Sequence, residues 1–160
     1  MDQRIISVLV ENRPGVLARV SGMFSGRGFN IHSLTVAPTM DSSLSRMTIV
    51  SQGSEQIIEQ IVKQLRSLVN VLKVQDLTAT DYVERELVLI RVKAVDEKRA
   101  EALRITDIFR GKVVDVSRDT LTIEVSGTRG KIEAILQLME PLGVQEMMST
   151  GPVAIPRAAK

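Results

Sequence analysis

The chain carries one hydrophobic rhythm twice. In residues 4–11, Ile5, Ile6, Val8, Leu9 and Val10 make a β-branched-rich run too short for a helix, which predicts a buried strand. Asn12-Arg13-Pro14-Gly15 breaks the run, and Val16, Leu17, Val20, Met23 and Phe24 then recur at the three-to-four-residue spacing of one helix face until Gly26-Arg27-Gly28. Residues 29–37 and 44–52 are β-rich stretches flanking a polar connector, residues 38–43, suited to a hairpin. Ser54 reads as an N-cap, Ile57, Ile58, Ile61, Leu65 and Leu68 trace a second amphipathic helix, and residues 71–78 read as a closing strand. The order is β-α-β-β-α-β.

Residues 86–148 repeat that order: a strand over 86–95, a helix over 97–110, strands over 113–116 and 121–125, a helix capped by Thr128 with Ile132, Ile135, Leu136 and Met139 on one face, and a strand over 144–148. The pattern predicts an α+β chain of two tandem ferredoxin-like domains, residues 1–78 and 85–150, joined by a linker at 79–84 and followed by a flexible tail at 151–160. Each copy has about 75 residues, close to the smallest size whose core sustains a fold, so packing against a neighbour should contribute.

In this topology the first and third strands are central and the second lies at an edge. That edge carries Phe29, Ile31, Leu34 and Val36 and no lysine, so little protects it from pairing. Cover by a second copy of the chain is expected; the alternative is shielding by the second domain.

Composition excludes several classes. No apolar run approaches the roughly 20 residues needed to cross a bilayer, and no secretory leader is read at the start of the chain. The absence of cysteine removes disulfides, iron–sulfur clusters and thiol nucleophiles and fits a reducing cytoplasmic setting. Eight basic residues stand against six acidic up to residue 78 and thirteen against thirteen beyond it, so neither half has the basic excess that phosphate neutralisation needs. Three Phe, one Tyr and no Trp leave few platforms for base stacking. No nucleic-acid or membrane partner is expected.

Catalytic chemistry is equally scarce. His32 is the single histidine and has no partner at metal-ligand spacing. Ser21-Gly22 and Ser25-Gly26 lie inside a helix pattern, where small residues predict close packing and not a nucleophile elbow. Gly127-Thr128-Arg129-Gly130-Lys131 is too short for a phosphate loop and reads as a capped turn. No catalytic or metal residue is assigned.

The turn at residues 12–17 is different. A strand hands over to a helix through Pro14-Gly15, leaving backbone N–H groups at a helix N-terminus, where the dipole contributes about 0.3–1 kcal/mol toward an anion. Gly15 has no Cβ to block approach, Asn12 offers a donor and an acceptor, and Val16 and Leu17 supply an apolar wall. A small aliphatic amino acid suits such a cradle, although a Pro-Gly helix start often serves no ligand.

The string Asn12-Arg13-Pro14-Gly15-Val16-Leu17, then Phe24 and Gly28-Phe29-Asn30-Ile31 before a hairpin, resembles the amino-acid-sensing ACT domain. ISVLVENRPGVLARVSGMFSGRGFNIHSLTVAPT and LSRMTIV, with VERELVLIRV and IFRGKVVDV in the second half, resemble the acetolactate synthase (acetohydroxyacid synthase) small-subunit family over nearly the whole chain. The resemblance implies a non-catalytic regulator in branched-chain amino-acid biosynthesis, a homodimer whose ACT sheets join edge to edge, and valine at the junction. Asn12, Gly15, Val16, Leu17, Asn30 and Ile31, with Ala37, are then the effector-binding residues. It further implies a large catalytic subunit that this chain activates and makes sensitive to valine, and that holds thiamine diphosphate, Mg²⁺ and FAD, this chain binding no cofactor. Competing readings are a free-standing ACT sensor or transcriptional regulator, for which no DNA-binding element is visible, and a small enzyme on the same scaffold, for which the residue inventory is lacking.

Overall fold

The computed structural model describes residues 3–159. They form β1 (Gln3–Glu11), α1 (Val16–Gly26), β2 (Ile31–Pro38), β3 (Leu44–Gln52), α2 (Glu55–Arg66), β4 (Val71–Asp76), β5 (Tyr82–Lys93), α3 (Glu97–Ile108), β6 (Lys112–Val116), β7 (Thr120–Gly127), α4 (Arg129–Met139), β8 (Val144–Ser149) and β9 (Val153–Pro156). Two compact units result, one reaching Val83 and taking in the chain from Val153, the other Glu84–Pro152. The α+β architecture of two βαββαβ modules agrees with the reading of the sequence.

The first sheet is antiparallel in the order β2-β3-β1-β4. Register decides which face each residue takes. Ile6 opposes Ile49 and Val8 opposes Met47, so these four line the face that packs on Val16, Val20 and Phe24 of α1 and Ile58, Ile61 and Leu65 of α2. Each such side chain removed from water contributes about 1.5–3 kcal/mol. The intervening pairs face the other way, and there Ile5 and Val50 form a smaller cluster with Leu77 and Ala154, against which Tyr82 packs.

That second cluster corrects the expectation of a flexible tail. Ala154 on β9 is only 5% exposed, and Arg157 donates from its backbone N–H to the Asp81 carbonyl at 2.9 Å and pairs its Nε with the Asp81 carboxylate at 3.1 Å. Small residues and prolines read as frayed because the residue of β9 that is buried is the small Ala154, while the larger Val153 and Ile155 stay exposed; the fold supplies Ala154 with its partner surface. The expected linker is also partly strand, since β5 begins at Tyr82. β4 stops at Asp76, whose carboxylate accepts from the Thr78 N–H at 3.1 Å and starts a 3₁₀ turn over Leu77–Ala79.

The second sheet repeats the order as β6-β7-β5-β8. Val88, Ile90 and Val92 of β5 and Leu121, Ile123 and Val125 of β7 face Ala102 and Ile105 of α3 and Ile132, Ile135 and Met139 of α4. Both predicted caps hold: the Ser54 hydroxyl accepts from the Ile57 N–H and the Thr128 hydroxyl from the Lys131 N–H. Gly22 and Gly26 of α1 do not serve close packing within the described chain, because a Cβ at either would meet nothing within 4 Å.

Candidate functional site

At the end of β1 the chain is tied on two sides. The Asn12 N–H donates to the Ser43 carbonyl at 2.8 Å and its Nδ2 to the Ser42 carbonyl at 3.0 Å, anchoring the turn to the β2–β3 hairpin. On the other side the Glu11 N–H donates to the Asn70 carbonyl at 2.9 Å, and Asn70 Nδ2 returns a bond to Glu11 Oε2 at 3.0 Å. Arg13 Nε pairs with the same Glu11 oxygen at 3.1 Å, and Arg19 donates to Asn70 Oδ1.

Gly15 is the N-cap of α1 with φ of 87°, a left-handed conformation that disfavours any residue with a Cβ. It has no side chain to cap the helix. The first intrahelical bond runs from the Arg19 N–H to the Gly15 carbonyl at 3.0 Å, so the N–H groups of Leu17 and Ala18 precede the ladder and no capping side chain takes them. No acidic residue stands in the first turn. Open space around the position of a Gly15 Cβ and 44% exposure of Leu17 leave the cradle accessible.

Not every predicted residue plays its expected part. Val16 is only 4% exposed, its side chain in the core beside Val20 and Phe24, so it supplies backbone and not the apolar wall. A helix face set by three-to-four spacing must send its first apolar residue inward. Leu17 is the apolar side chain of the turn that stays exposed. Asn30 is exposed and its carbonyl accepts from Ser51 Oγ at 2.8 Å. Ile31 opens β2 opposite Ser51, while Ala37 lies opposite Arg46 near the hairpin.

These registers separate the predicted residues into two groups. Leu44 opposes Glu11, next to the turn, whereas Ser51 opposes Ile31. Leu44 and Ser51 are seven residue steps apart along β3, about 23 Å at ~3.3 Å per residue. Asn12, Gly15, Leu17 and Ala37 therefore gather at one end of the sheet and Asn30 and Ile31 at the other.

The edge strand itself is less bare than its composition suggests. Phe29 meets Phe24 edge-on with ring centroids 6.5 Å apart, and Phe29, Ile31 and Leu34 are half-buried against the chain's own core. Val36 stays 40% exposed. The outer row of β2 backbone groups has no strand beside it in the sheet.

Sequence reasoning missed Asp41, Ser43 and Asn70. The Asp-Ser-Ser tip of the connector is a turn signal that points to the first two; nothing local marks Asn70, which reaches Glu11 across the sheet. Asp41 accepts from the Ser43 hydroxyl at 2.7 Å and N–H at 3.0 Å, and these bonds hold its carboxyl below the usual carboxylate range.

Comparison with known proteins then decides the family. Residues 6–73 match the family model described as AHAS small subunit-like ACT domain, and residues 85–158 match small subunit of acetolactate synthase. A probable acetolactate synthase small subunit of Archaeoglobus fulgidus is 53% identical over 155 residues, covering 97% of each chain. The chain belongs to the acetolactate synthase small-subunit family. The acetolactate synthase small subunit of Haemophilus influenzae is 49% identical over 159 residues, covering 99% of this chain and 98% of that one. The crystal structure of the small subunit from Thermotoga maritima superposes with a TM-score of 0.89 at 42% identity, over the full length of both.

Within this small subunit the second unit repeats the strand–turn–helix but not its chemistry. Asp96, with φ of 56°, is the N-cap of α3 as Gly15 is of α1. Its carboxylate opposes an anionic ligand where Gly15 leaves room for one. Among the described residues no group of three or more His, Asp and Glu could hold a metal ion, and no helix is long and apolar enough to cross a membrane.

Proposed function

We propose that this small subunit senses valine in a site shared by two copies of the chain and passes the signal to a large catalytic subunit of acetolactate synthase. The observation that carries the reading is the separation of the two groups along β3. One chain alone cannot close both on a molecule the size of valine. Antiparallel pairing of two β2 edges about a two-fold axis reverses one strand against the other, bringing the Asn30 end of one copy beside the Ala37 end of its partner. Each junction then combines the turn of one protomer with Asn30 and Ile31 of the other, two sites per homodimer.

In such a site the Leu17 and Ala18 N–H groups and the α1 dipole hold the carboxylate, worth about 0.3–1 kcal/mol from the dipole. Asn12 Oδ1 accepts from the ammonium group. Leu17, Ile31 and Ala37 contact the branched side chain, and one methylene there is worth about 1–3 kcal/mol, so leucine and isoleucine bind in a graded series with valine.

The regulatory reading is that the small subunit activates the catalytic subunit and that valine reverses this. A coupling of about 1–3 kcal/mol changes affinity some 5- to 150-fold, provided valine binds the two conformations unequally. Thiamine diphosphate, Mg²⁺ and FAD belong to the catalytic subunit in this reading, and this chain is assigned no cofactor and a cytoplasmic setting. The test is calorimetry of valine into the purified small subunit together with valine inhibition of the reconstituted pair. Saturable heat at one valine per chain and inhibition of the complex are expected; no heat with valine, leucine or isoleucine overturns the site.

A further inference from the structure

The connector between β2 and β3 is exposed and polar, yet it is densely bonded to itself. The Thr39 N–H donates to the Leu44 carbonyl at 2.9 Å and the Leu44 N–H to the Asp41 carbonyl at 3.0 Å. Thr39 Oγ1 donates to the Asp41 carbonyl at 2.8 Å and accepts from the Asp41 N–H at 3.1 Å. Asp41 Oδ1 then gathers the Ser43 N–H and hydroxyl. The carbonyls of Ser42 and Ser43, which take no part in these bonds within the tip, are the ones that receive Asn12.

We infer that Asp41 is a positioning residue for the effector turn, acting through Ser43 and the hairpin tip on Asn12. The inference rests on the effector reading above. Its physical content is that a side-chain amide is planar, so a bond from its Nδ2 also fixes the direction of its oxygen. The tip thus sets the Asn12 Oδ1 acceptor before any ligand arrives, and pre-ordering removes a cost that binding would otherwise bear. A charged acceptor suits this task because bonds to carboxylate are stronger than neutral ones.

The experiment compares wild type, Asp41→Ala, Asp41→Asn and Ser43→Ala by valine calorimetry, thermal melting and amide hydrogen exchange at Asn12. Asp41→Ala is expected to weaken valine about three- to tenfold, the size of one or two lost hydrogen bonds, with faster exchange at Asn12 and an unchanged melting temperature. Asp41→Asn keeps an Oδ1 acceptor and should bind within about twofold of wild type, and Ser43→Ala should fall between. If wild type binds valine and Asp41→Ala binds it equally well, the positioning role is wrong while the site stands. Equal loss in Asp41→Ala and Asp41→Asn, or loss with Asn12 exchange unchanged, also overturns it. A wild type that binds no branched-chain amino acid instead removes the effector reading.

Discussion

Glu11 and Asn70 exchange two hydrogen bonds, the Glu11 N–H to the Asn70 carbonyl at 2.9 Å and Asn70 Nδ2 to Glu11 Oε2 at 3.0 Å. The pair joins the last residue of β1 to the α2–β4 connection and collects Arg13 and Arg19 around it. Asn70→Ala keeps the backbone bond and deletes the side-chain one, together with the acceptor for Arg19. The expected cost is about 1 kcal/mol of stability, read as a lower urea midpoint with unchanged slope in far-ultraviolet circular dichroism. An unchanged midpoint would show that these bonds merely replace bonds to water.

Gly15 separates backbone strain from charge. Its φ of 87° makes any L side chain unfavourable by roughly 1–2 kcal/mol, while the absence of atoms within 4 Å of a Cβ removes any steric cost. Gly15→Ala is therefore expected to lower stability by about that amount and, because its Cβ enters the space left for the effector, to weaken valine inhibition without abolishing it. Gly15→Asp adds a negative charge beside the uncapped α1 N-terminus and should abolish valine inhibition while the complex stays activated. Normal inhibition of Gly15→Asp in a reconstituted assay would remove the assignment of the turn.

The edge of β2 calls for a choice of position that composition does not reveal. Leu34 is half-buried against the core, so a lysine there unfolds as well as repels. Val36 is 40% exposed, and Val36→Lys should leave the melting temperature nearly unchanged while weakening association at least tenfold. Sedimentation velocity at two concentrations reads this directly, and valine affinity should fall with the dimer. A Val36→Lys chain that sediments as wild type places the association elsewhere.

Ala154 tests the tail. It is 5% exposed among Ile5, Val50 and Leu77, so Ala154→Asp buries an unpaired carboxylate at a cost of about 3 kcal/mol or more. Removal of residues 152–160 should destabilise through newly exposed apolar surface. Urea melts of both variants matching wild type would return the tail to the frayed state its composition suggests.

Much of the fold was legible because helix and strand periods are local. Ser54, Thr128 and the apolar spacings of α1, α2 and α4 announce their elements within a few residues, and the repeat of one element order in both halves implies two modules. Gly15 and Asn12 were also legible, since a turn entering a helix carries its own chemical signature. The inward turn of Val16, the burial of Ala154 and the bond from Asn70 to Glu11 were not, because each depends on a partner far along the chain.

The sequence by itself determined the elements, their order, the family and the residue types that suit an amino-acid effector. Only the tertiary structure decided that Asn12 and Gly15 stand at one end of the first sheet and Asn30 and Ile31 at the other. The physical reason is register: antiparallel pairing converts separation along the chain into position along a strand, and no local pattern encodes which end of a shared strand two distant residues reach.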